Sequence, residues 1–407
     1  MKLIYLSRIS GAFLFGLILY ACNQTAFKVE DASVVLPESI KINQIQVLGT
    51  HNSYALPLDT AISNFIDPIF EQMMAQNQAS IPEDQKAKYK EYHPNKVKMS
   101  EGLSYDHPDF REQLDSGLRS FEIDVYYDPT GNRFTRPAVY DVLRQKGYKE
   151  FLPYDSTGLE KPGFKVLHVP DIDFRSHYTT FEQALIALKN WSDKHPGHVP
   201  VFIMIEAKDK GIPIFPNSAE VLPYTAEVFD ELDHLIFSVL GKEKVITPDL
   251  VRGEYSTLEE GVLAQNWPLL SASLGKFVFM LLPSTAGMSL KSPYVENRPN
   301  LEGRAMFVQS EPGQSYAAFL LLDNSLMRKE EIKAAVKKGY LVRTRSDIET
   351  YEAKVNDMSR AKAAFESGAQ VISTDFFKPG NNYGTDYFVQ LPNEKPVRIN
   401  PVNGNSK

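Results

Sequence analysis

Histidines and carboxylates stand at the ends of several apolar runs of this sequence, where predicted strands would stop. Six side chains occupy such positions: His51, Glu122, Asp124, His168, Glu206 and Asp375. Glu122 and Asp124 alternate with apolar residues, so that both project from one face of a strand. Any one of the six could simply be leaving the core. Together they match the way in which parallel barrels collect catalytic groups at one rim.

This set combines a site for a hard cation with two free imidazoles. The candidate cation ligands are Asn52, Glu122, Asp124 and Glu206. They offer only oxygen donors, which suit Ca²⁺ or Mg²⁺ better than zinc or copper. His51 and His168 then remain available for proton transfer. A cation with two histidines suits phosphoryl transfer, in which developing negative charge must be stabilised. For Glu122 and Asp124 a solvent-facing strand edge is the alternative, which their apolar neighbours disfavour.

Composition and missing motifs count against several other classes of protein. The 407-residue chain has 43% hydrophobic and 23% charged residues, which is a globular composition. Its net charge of -7 gives no indication of a nucleic-acid partner. The sequence has no Gly-x-x-x-x-Gly-Lys-Ser/Thr phosphate loop, no Gly-x-Ser-x-Gly elbow and no His-Glu-x-x-His motif. NTP hydrolysis, serine esterase and zinc protease chemistry are therefore disfavoured.

The elements that must position these residues alternate between strands and helices. Eight apolar runs predict strands, at residues 44–49, 120–126, 165–168, 199–206, 276–282, 305–308, 340–343 and 370–373. Helical spacing of apolar residues predicts helices at residues 180–191, 328–338 and 359–367. Continuous apolar strands alternating with helices are typical of an α/β protein with a buried parallel sheet. We expect a single catalytic domain with a (β/α)8 TIM-type barrel, with an open doubly wound sheet as the alternative.

The ends of the chain are predicted to lie outside the barrel. Residues 1–21 have a basic start and a short apolar run, and they are typical of a lipoprotein signal peptide. Cys22, the only cysteine, would then carry lipid, and residues 22–43 would form a tether. An ordinary signal peptide is the alternative. The barrel is expected over residues 44–390, with a long polar excursion at residues 73–109 crossing its mouth. Residues 391–407 are expected to form a poorly ordered tail.

The same residues carry a family resemblance. The matching segments are Leu48–Tyr54, Glu122–Asp124, His168–Phe174, Trp191–Pro200, Gly339–Arg345 and Ser367–Asp375. In this order they resemble the calcium-dependent, phosphatidylinositol-specific phospholipases C of the secreted bacterial type, and the similarity runs from Lys41 to Tyr383. The resemblance implies an enzyme that cleaves phosphatidylinositol-type phosphodiesters to diacylglycerol and a cyclic inositol phosphate.

The resemblance also implies roles for individual residues. His51 would stabilise the transition-state phosphate, and His168 would protonate the leaving group. The ligands of Ca²⁺ would be Asn52, Glu122, Asp124 and Glu206, with one carboxylate also accepting the proton of the inositol 2-hydroxyl. Lys208, Arg343 and Arg345 are candidate substrate contacts, because cations near the mouth can bind phosphate. Asp375 would either orient a histidine or bind an inositol hydroxyl.

Two other functions remain open at this stage. One is a glycerophosphodiester phosphodiesterase or a sphingomyelinase D-like lyase, which would favour Mg²⁺. The other is a non-catalytic surface lipoprotein that binds inositol phosphates. In each case we expect an exported bacterial lipoprotein of the cell envelope, in the outer membrane or the periplasm, or a secreted protein. We expect a monomer that reaches the membrane through its lipid anchor.

Overall fold

Parallel strands form a barrel around which most of the helices pack. The computed structural model describes residues 26–29, 34–283, 292–392 and 396–404. The strands are β1 Ala26–Val29, β2 Val34–Pro37, β3 Ile45–Thr50, β4 Ser120–Asp128, β5 Gly163–Val166, β6 Val201–Ala207, β7 Phe277–Leu282, β8 Met306–Val308, β9 Phe319–Asn324, β10 Leu341–Arg345, β11 Val371–Thr374 and β12 Arg398–Ile399. The helices are α1 Thr60–Ser80, α2 Glu83–Tyr92, α3 Met99–Gly102, α4 Phe110–Asp115, α5 Ala138–Gln145, α6 Phe181–Lys194, α7 Ala226–Leu240, α8 Pro248–Arg252, α9 Leu258–Leu263, α10 Ser325–Lys338, α11 Tyr351–Val355 and α12 Ser359–Ser367.

Eight of the strands form a nearly closed parallel barrel. Their order is β8-β7-β6-β4-β3-β11-β10-β9, and each neighbouring pair is parallel. A single bridge between Gln309 and Phe319 joins the two ends of this order, where the Ser310 amide donates to the Phe319 carbonyl at 3.1 Å. Every residue of β3 and β7 is buried, as expected for strands covered on both faces. The predicted single-domain TIM-type barrel is confirmed.

One predicted barrel strand is wrong, and one barrel strand was missed. The run at residues 165–168 overlaps β5, which pairs antiparallel with β4 outside the barrel order. The eighth barrel strand is instead β9, which no sequence pattern had singled out. The run at residues 165–168 was misassigned because an apolar run does not encode strand direction. Strand β9 was missed because it passes into α10 without a turn residue that would mark its end. His168 therefore follows an antiparallel strand, whereas His51 follows a parallel strand of the barrel.

Local sequence signals account well for the helices. The three predicted helices correspond to α6, α10 and α12. Thr180 caps α6, since its hydroxyl accepts from the Gln183 amide at 3.2 Å. Helix α10 ends at Gly339, whose φ of 110° lies in the left-handed region that glycine adopts without strain.

A second apolar cluster lies beside the main core, and we call it the mouth cluster. Its principal members are Ile62, Ile66, Phe70, Tyr126, Phe134, Val139, Leu143, Leu167, Ile172, Phe174 and Phe215. It joins α1, α5, the end of β4 and the segment that follows β5. It therefore buries the chain around His168 independently of the barrel interior.

The long connection between β3 and β4 covers part of the barrel mouth. It contains α1, α2 and α3, and it includes the polar excursion expected at residues 73–109. The carbonyl of Glu91 accepts from the Asn324 side chain at 2.9 Å, at the end of β9. The ring of Tyr105 lies 5.5 Å from that of His51. The expected excursion over the mouth is confirmed by these contacts.

The C-terminal segment differs from the expected poorly ordered tail. Strand β12 pairs antiparallel with β3, and Asn400 is fully buried. The Asn400 side chain donates to the Gly368 carbonyl at 2.6 Å. Polar side chains that satisfy buried carbonyls explain why an Asn-rich segment is held against the barrel.

The N-terminal predictions are only partly covered by the structure. The predicted signal peptide and Cys22 lie outside the described residues. Within the described ranges, no helix combines the length and apolar character needed to cross a bilayer.

Candidate active site

The first histidine is positioned by the crowded contact between β3 and β4. Gly49 faces Ser120 there, and a Cβ at Gly49 would lie 2.1 Å from the Ser120 carbonyl oxygen. Only glycine permits this approach. After β3 the amide of His51 donates to the Thr374 carbonyl at 3.2 Å, and Asn52 adopts a left-handed φ of 44°. The motif around Gly49 thus turns two polar side chains into the barrel mouth.

Reciprocal hydrogen bonds lock this turn to the carboxylate strand. The Ser53 amide donates to the Glu122 carbonyl at 2.9 Å, and the Glu122 amide donates to the Ser53 hydroxyl at 2.9 Å. The Nε2 atom of His51 lies 4.0 Å from Oε1 of Glu122. The first histidine and the first carboxylate therefore share one rigid support.

Asp375 determines which ring nitrogen of His51 carries the proton. Its Oδ1 lies 2.9 Å from His51 Nδ1. Burial lowers the pKa of His51 well below its usual value, and the nearby Arg345 and Arg343 guanidinium groups lower it further. The imidazole is therefore neutral near pH 7. Because an ionised carboxylate can only accept, the proton lies on Nδ1 and Nε2 keeps a free lone pair.

A further carboxylate, Asp347, holds Asp375 in place. Its Oδ1 accepts from the Asp375 amide at 2.8 Å, and its Oδ2 accepts from the Thr374 hydroxyl at 2.5 Å. The Tyr387 hydroxyl donates to the same Oδ2 at 3.2 Å. Arg345 lies 3.3 Å from Asp375 on the other side. His51 is thus supported by two successive layers of buried polar contacts.

Three carboxylates converge beside His51 and form a cage suited to a cation. Glu122, Asp124 and Glu206 each offer an oxygen, and these oxygens lie within 4.8 Å of one another. Strand pairing explains the convergence, because Asp124 of β4 is the direct register partner of Glu206 in β6. Burial raises the pKa of Glu122 to about 8 and that of Asp124 to about 6.

The cage also passes a test of fit for a hard cation. Both oxygens of Asp124 are buried, and among the described residues neither makes a hydrogen bond of acceptable geometry. Lys208 Nζ lies 3.1 Å from Oδ2 as an ion-pair partner, which leaves Oδ1 as a buried acceptor that still needs a cation or a donor. Asn52 can add a fourth oxygen, because its amide nitrogen donates to the Tyr105 hydroxyl at 2.6 Å and its amide oxygen is not used in that bond. An oxygen-only set of this kind matches the preference of Ca²⁺.

The predicted anion contacts lie at the cage but are paired with carboxylates. Arg343 is only 2% exposed, and its two terminal nitrogens contact Glu122 and Asp323. Lys208 Nζ lies between two carboxylates of the cage. Arg345 stays the most accessible of the three, with 14% of its side chain exposed.

The second histidine reaches the same cleft by a different route. His168 Nδ1 lies 2.8 Å from Asp173 Oδ2, and its carbonyl accepts from the Tyr126 hydroxyl at 2.8 Å. A tight turn joins Val169 and Asp173, whose amides and carbonyls bond reciprocally at 2.8 and 2.9 Å. His168 lies near enough to contribute to the lowered pKa of His51.

Sequence reasoning missed four polar residues of this site. They are Tyr105, Asp173, Asp323 and Asp347. Asp323 ends the apolar run of β9, so the strand-end criterion would have found it had that strand been recognised. Asp173 lies five residues after His168, within the segment His168–Phe174 that carries part of the family resemblance. For Tyr105 and Asp347 the local sequence contains no comparable signal.

Comparison with known proteins identifies the family of this chain. The family model described as phosphoinositide phospholipase C, Ca²⁺-dependent, matches residues 40–401. The chain belongs to this family. It is a phosphodiesterase of the phospholipase C type with Ca²⁺ as its cofactor, and the family's metal chemistry is consistent with the acidic cage. No curated protein matches the chain by sequence.

Solved structures of similar proteins support the fold. The apo form of a calcium-dependent phosphoinositol-specific phospholipase C from a Gram-negative Pseudomonas species has a TM-score of 0.51 and 17% identity. That alignment covers 89% of this chain and 97% of the Pseudomonas chain. A myoinositol complex of this Pseudomonas phospholipase has a TM-score of 0.50 and 16% identity, with 89% and 96% covered.

Proposed function

We propose that this family member cleaves phosphatidylinositol-type phosphodiesters to diacylglycerol and inositol phosphate, with His51 and His168 as an acid and base pair. The observation that carries this proposal is the matched support of the two imidazoles. Each is held through Nδ1 by a buried carboxylate, Asp375 or Asp173, in the cleft that contains the carboxylate cage. Such pairs fix the orientation of a histidine and stabilise its protonated form.

His51 is better suited to accept a proton than to donate one. The resemblance implied that His51 stabilises the phosphate while a carboxylate acts as the base. A neutral ring that donates Nδ1–H to Asp375 instead presents an unprotonated Nε2. In the proposed first step, this Nε2 takes the proton of the inositol 2-hydroxyl, and the hydroxyl oxygen forms a bond to phosphorus.

His168 completes the step as the general acid. As the bond from phosphorus to the diacylglycerol oxygen breaks, protonated His168 transfers its Nε2 proton to that oxygen, and Asp173 stabilises the imidazolium beforehand. The product is a cyclic inositol phosphodiester. In a second step, His168 takes a proton from water as the water oxygen forms a bond to phosphorus. The bond from phosphorus to the inositol 2-oxygen breaks, His51 returns a proton to that oxygen, and inositol phosphate is released.

The cage residues would hold the cofactor next to this reaction. Glu122, Asp124 and Glu206, together with the Asn52 amide oxygen, are the proposed ligands. Bound Ca²⁺ would supply positive charge for the phosphate oxygens and for the attacking hydroxyl. Arg345, which lies beside His51, is the proposed protein contact for a phosphate oxygen.

Phosphorus NMR of the products tests this proposal. Phosphatidylinositol, sphingomyelin and glycerophosphocholine would each be incubated with the protein in Ca²⁺, in Mg²⁺ or in a chelator. We expect a cyclic inositol phosphate signal from phosphatidylinositol with Ca²⁺ alone. Cleavage of only the other two substrates would contradict the substrate assignment and favour a sphingomyelinase D-like or glycerophosphodiesterase activity.

We further propose that the protein is an exported lipoprotein anchored through Cys22. The sequence of residues 1–22 supports this, because a basic start and a short apolar run precede the cysteine. Metabolic labelling with a fatty acid would test it. Wild-type protein should incorporate label and Cys22→Ser should not, while equal labelling of both would contradict the anchor.

A further inference from the structure

Lys208 occupies an unusual position for a lysine, inside the carboxylate cage. Its Nζ lies 3.1 Å from Asp124 Oδ2 and 3.1 Å from Glu206 Oε1. Only 7% of the Lys208 side chain is exposed, against 0% for Asp124 and 15% for Glu206. The lysine thus contacts two of the three carboxylates whose oxygens converge to form a cation site.

The charges around the cage show why a cation is needed there. The third carboxylate, Glu122, is already in contact with Arg343. Asp124 and Glu206 have Lys208 as their common ion-pair partner. Two buried carboxylates a few ångströms apart repel each other, and a buried cation between them offsets this repulsion.

The backbone of Lys208 is held by the sheet and does not depend on where its ammonium group lies. The Lys208 amide donates to the Val125 carbonyl at 3.0 Å, which continues the pairing of β6 with β4. The ammonium group lies at the end of a flexible four-carbon chain, so it can swing away at little cost to the strand. A guanidinium group held from two sides, as in Arg343, lacks this freedom.

We propose that Lys208 is an internal competitor of calcium: its ammonium group neutralises the cage in the metal-free protein and must be displaced when Ca²⁺ binds. Calcium can then bind the carboxylates only after the contacts of the Lys208 ammonium group with Asp124 and Glu206 are broken. The displaced ammonium group stays near the bound cation and repels it. Lys208 would set the calcium concentration at which the enzyme becomes active. The proposal rests on the cage being the calcium site, as proposed above.

Calcium titration by calorimetry of Lys208→Met tests the competition, with Lys210→Met as the matched control. Lys210 is an exposed lysine two residues further along. The titrations are run at about pH 8.5, where carboxylates are ionised for metal binding. We expect Lys208→Met to bind Ca²⁺ at least about tenfold more tightly than wild type, from the loss of a close like charge. Lys210→Met should match wild type. Unchanged or weaker binding by Lys208→Met would overturn the proposal.

Thermal unfolding supplies a second, independent readout. Lys208→Met should unfold at a lower temperature than wild type in a chelator, because the cage loses its counter-charge. Saturating Ca²⁺ should raise its midpoint by more than that of wild type. If Lys208→Met does not fold without calcium, Lys208→Gln replaces it in both measurements. Equal midpoint shifts for wild type and variant would count against the competition.

A separate variant distinguishes an error in the Lys208 proposal from an error in assigning the cage as the calcium site. Glu206→Gln should weaken calcium binding by about 10- to 100-fold, as loss of a metal ligand does. If Glu206→Gln binds calcium like wild type, the cage is not the site and the proposal fails with it. If Glu206→Gln weakens binding but Lys208→Met does not tighten it, only the lysine proposal fails.

Discussion

The two histidines of the cleft are held by different parts of the molecule. His51 follows a barrel strand and depends on Asp375 and Asp347, which follow the neighbouring strands β11 and β10. His168 follows an antiparallel strand outside the barrel, and the mouth cluster buries its surroundings. We call His51 with its supporting residues the His51 arm, and His168 with its supporting residues the His168 arm. The His51 arm is part of the barrel core, whereas the His168 arm belongs to the smaller mouth cluster. Proton transfer requires both histidines to be correctly positioned at the same time. We therefore expect the less firmly held of the two arms to limit activity.

The largest effect is expected from removing either imidazole. His51→Ala and His168→Ala should each lower kcat by about 10²–10⁴-fold, the range for a general acid or base. Calcium affinity should survive in both, because neither histidine is a proposed ligand. Product formation and calorimetry would measure the two quantities. Wild-type turnover in both variants would refute the mechanism.

The supporting carboxylates should show the difference between the arms. Asp375→Asn should reduce kcat by about 100-fold or more, since a misplaced proton on the ring disables a catalytic histidine. Asp173→Asn should reduce it by about tenfold, because the Asp173 side chain is 7% exposed whereas that of Asp375 is fully buried. The pH dependence of kcat checks the assignment: Asp375→Asn should alter the limb due to the base, and Asp173→Asn the limb due to the acid. A larger loss in Asp173→Asn would reverse the comparison.

Cavities in the two cores should separate stability from activity. Ile172 lies in the mouth cluster and Ile372 in β11, and both are fully buried. Each change to Ala should cost about 2–5 kcal/mol locally. Ile372→Ala should lower the midpoint of global unfolding. Ile172→Ala should instead speed hydrogen exchange around residues 167–178 and reduce kcat while the barrel stays folded. Equal exchange in both variants would show that the two cores unfold together.

The smallest effects are expected from two tyrosine hydroxyls, one on each arm. Tyr105→Phe frees the Asn52 amide and should weaken calcium binding a few-fold, by about 1 kcal/mol for one hydrogen bond. Tyr126→Phe removes the donor to the His168 carbonyl and should lower kcat by a similar factor with calcium affinity unchanged. Calorimetry and initial rates on both variants would decide this. Identical profiles for the two variants would mean that the arms are not independent.

Much of the His51 arm could be predicted from the sequence. The apolar runs of β3, β6 and β11 end at His51, Glu206 and Asp375, whereas Glu122 and Asp124 alternate with apolar residues within β4. Parallel strands bring such ends to one rim, and alternation places Glu122 and Asp124 on one face. Local patterns therefore predicted the cage residues and seven of the eight barrel strands, because these features depend on short-range periodicity.

The His168 arm could not be read in the same way. An apolar run at residues 165–168 predicted a barrel strand, but its direction depends on pairing with β4. The support of His168 comes from α1, α5 and the segment around Phe215, which lie far apart in the chain. Asp173 lies in the segment His168–Phe174, but the sequence alone does not show that its carboxylate contacts His168.

By itself, the sequence determined which residues are available for chemistry and which of them end strands. Tertiary structure alone decided their partners: Asp375 and Asp347 behind His51, Tyr105 beside Asn52, and Lys208 within the cage. Apart from the contact of Lys208 with Glu206, two residues away, these pairings join residues that are remote in the chain, and they depend on burial. Burial makes each unpaired charge costly, and so it dictates where every buried cation and carboxylate must lie.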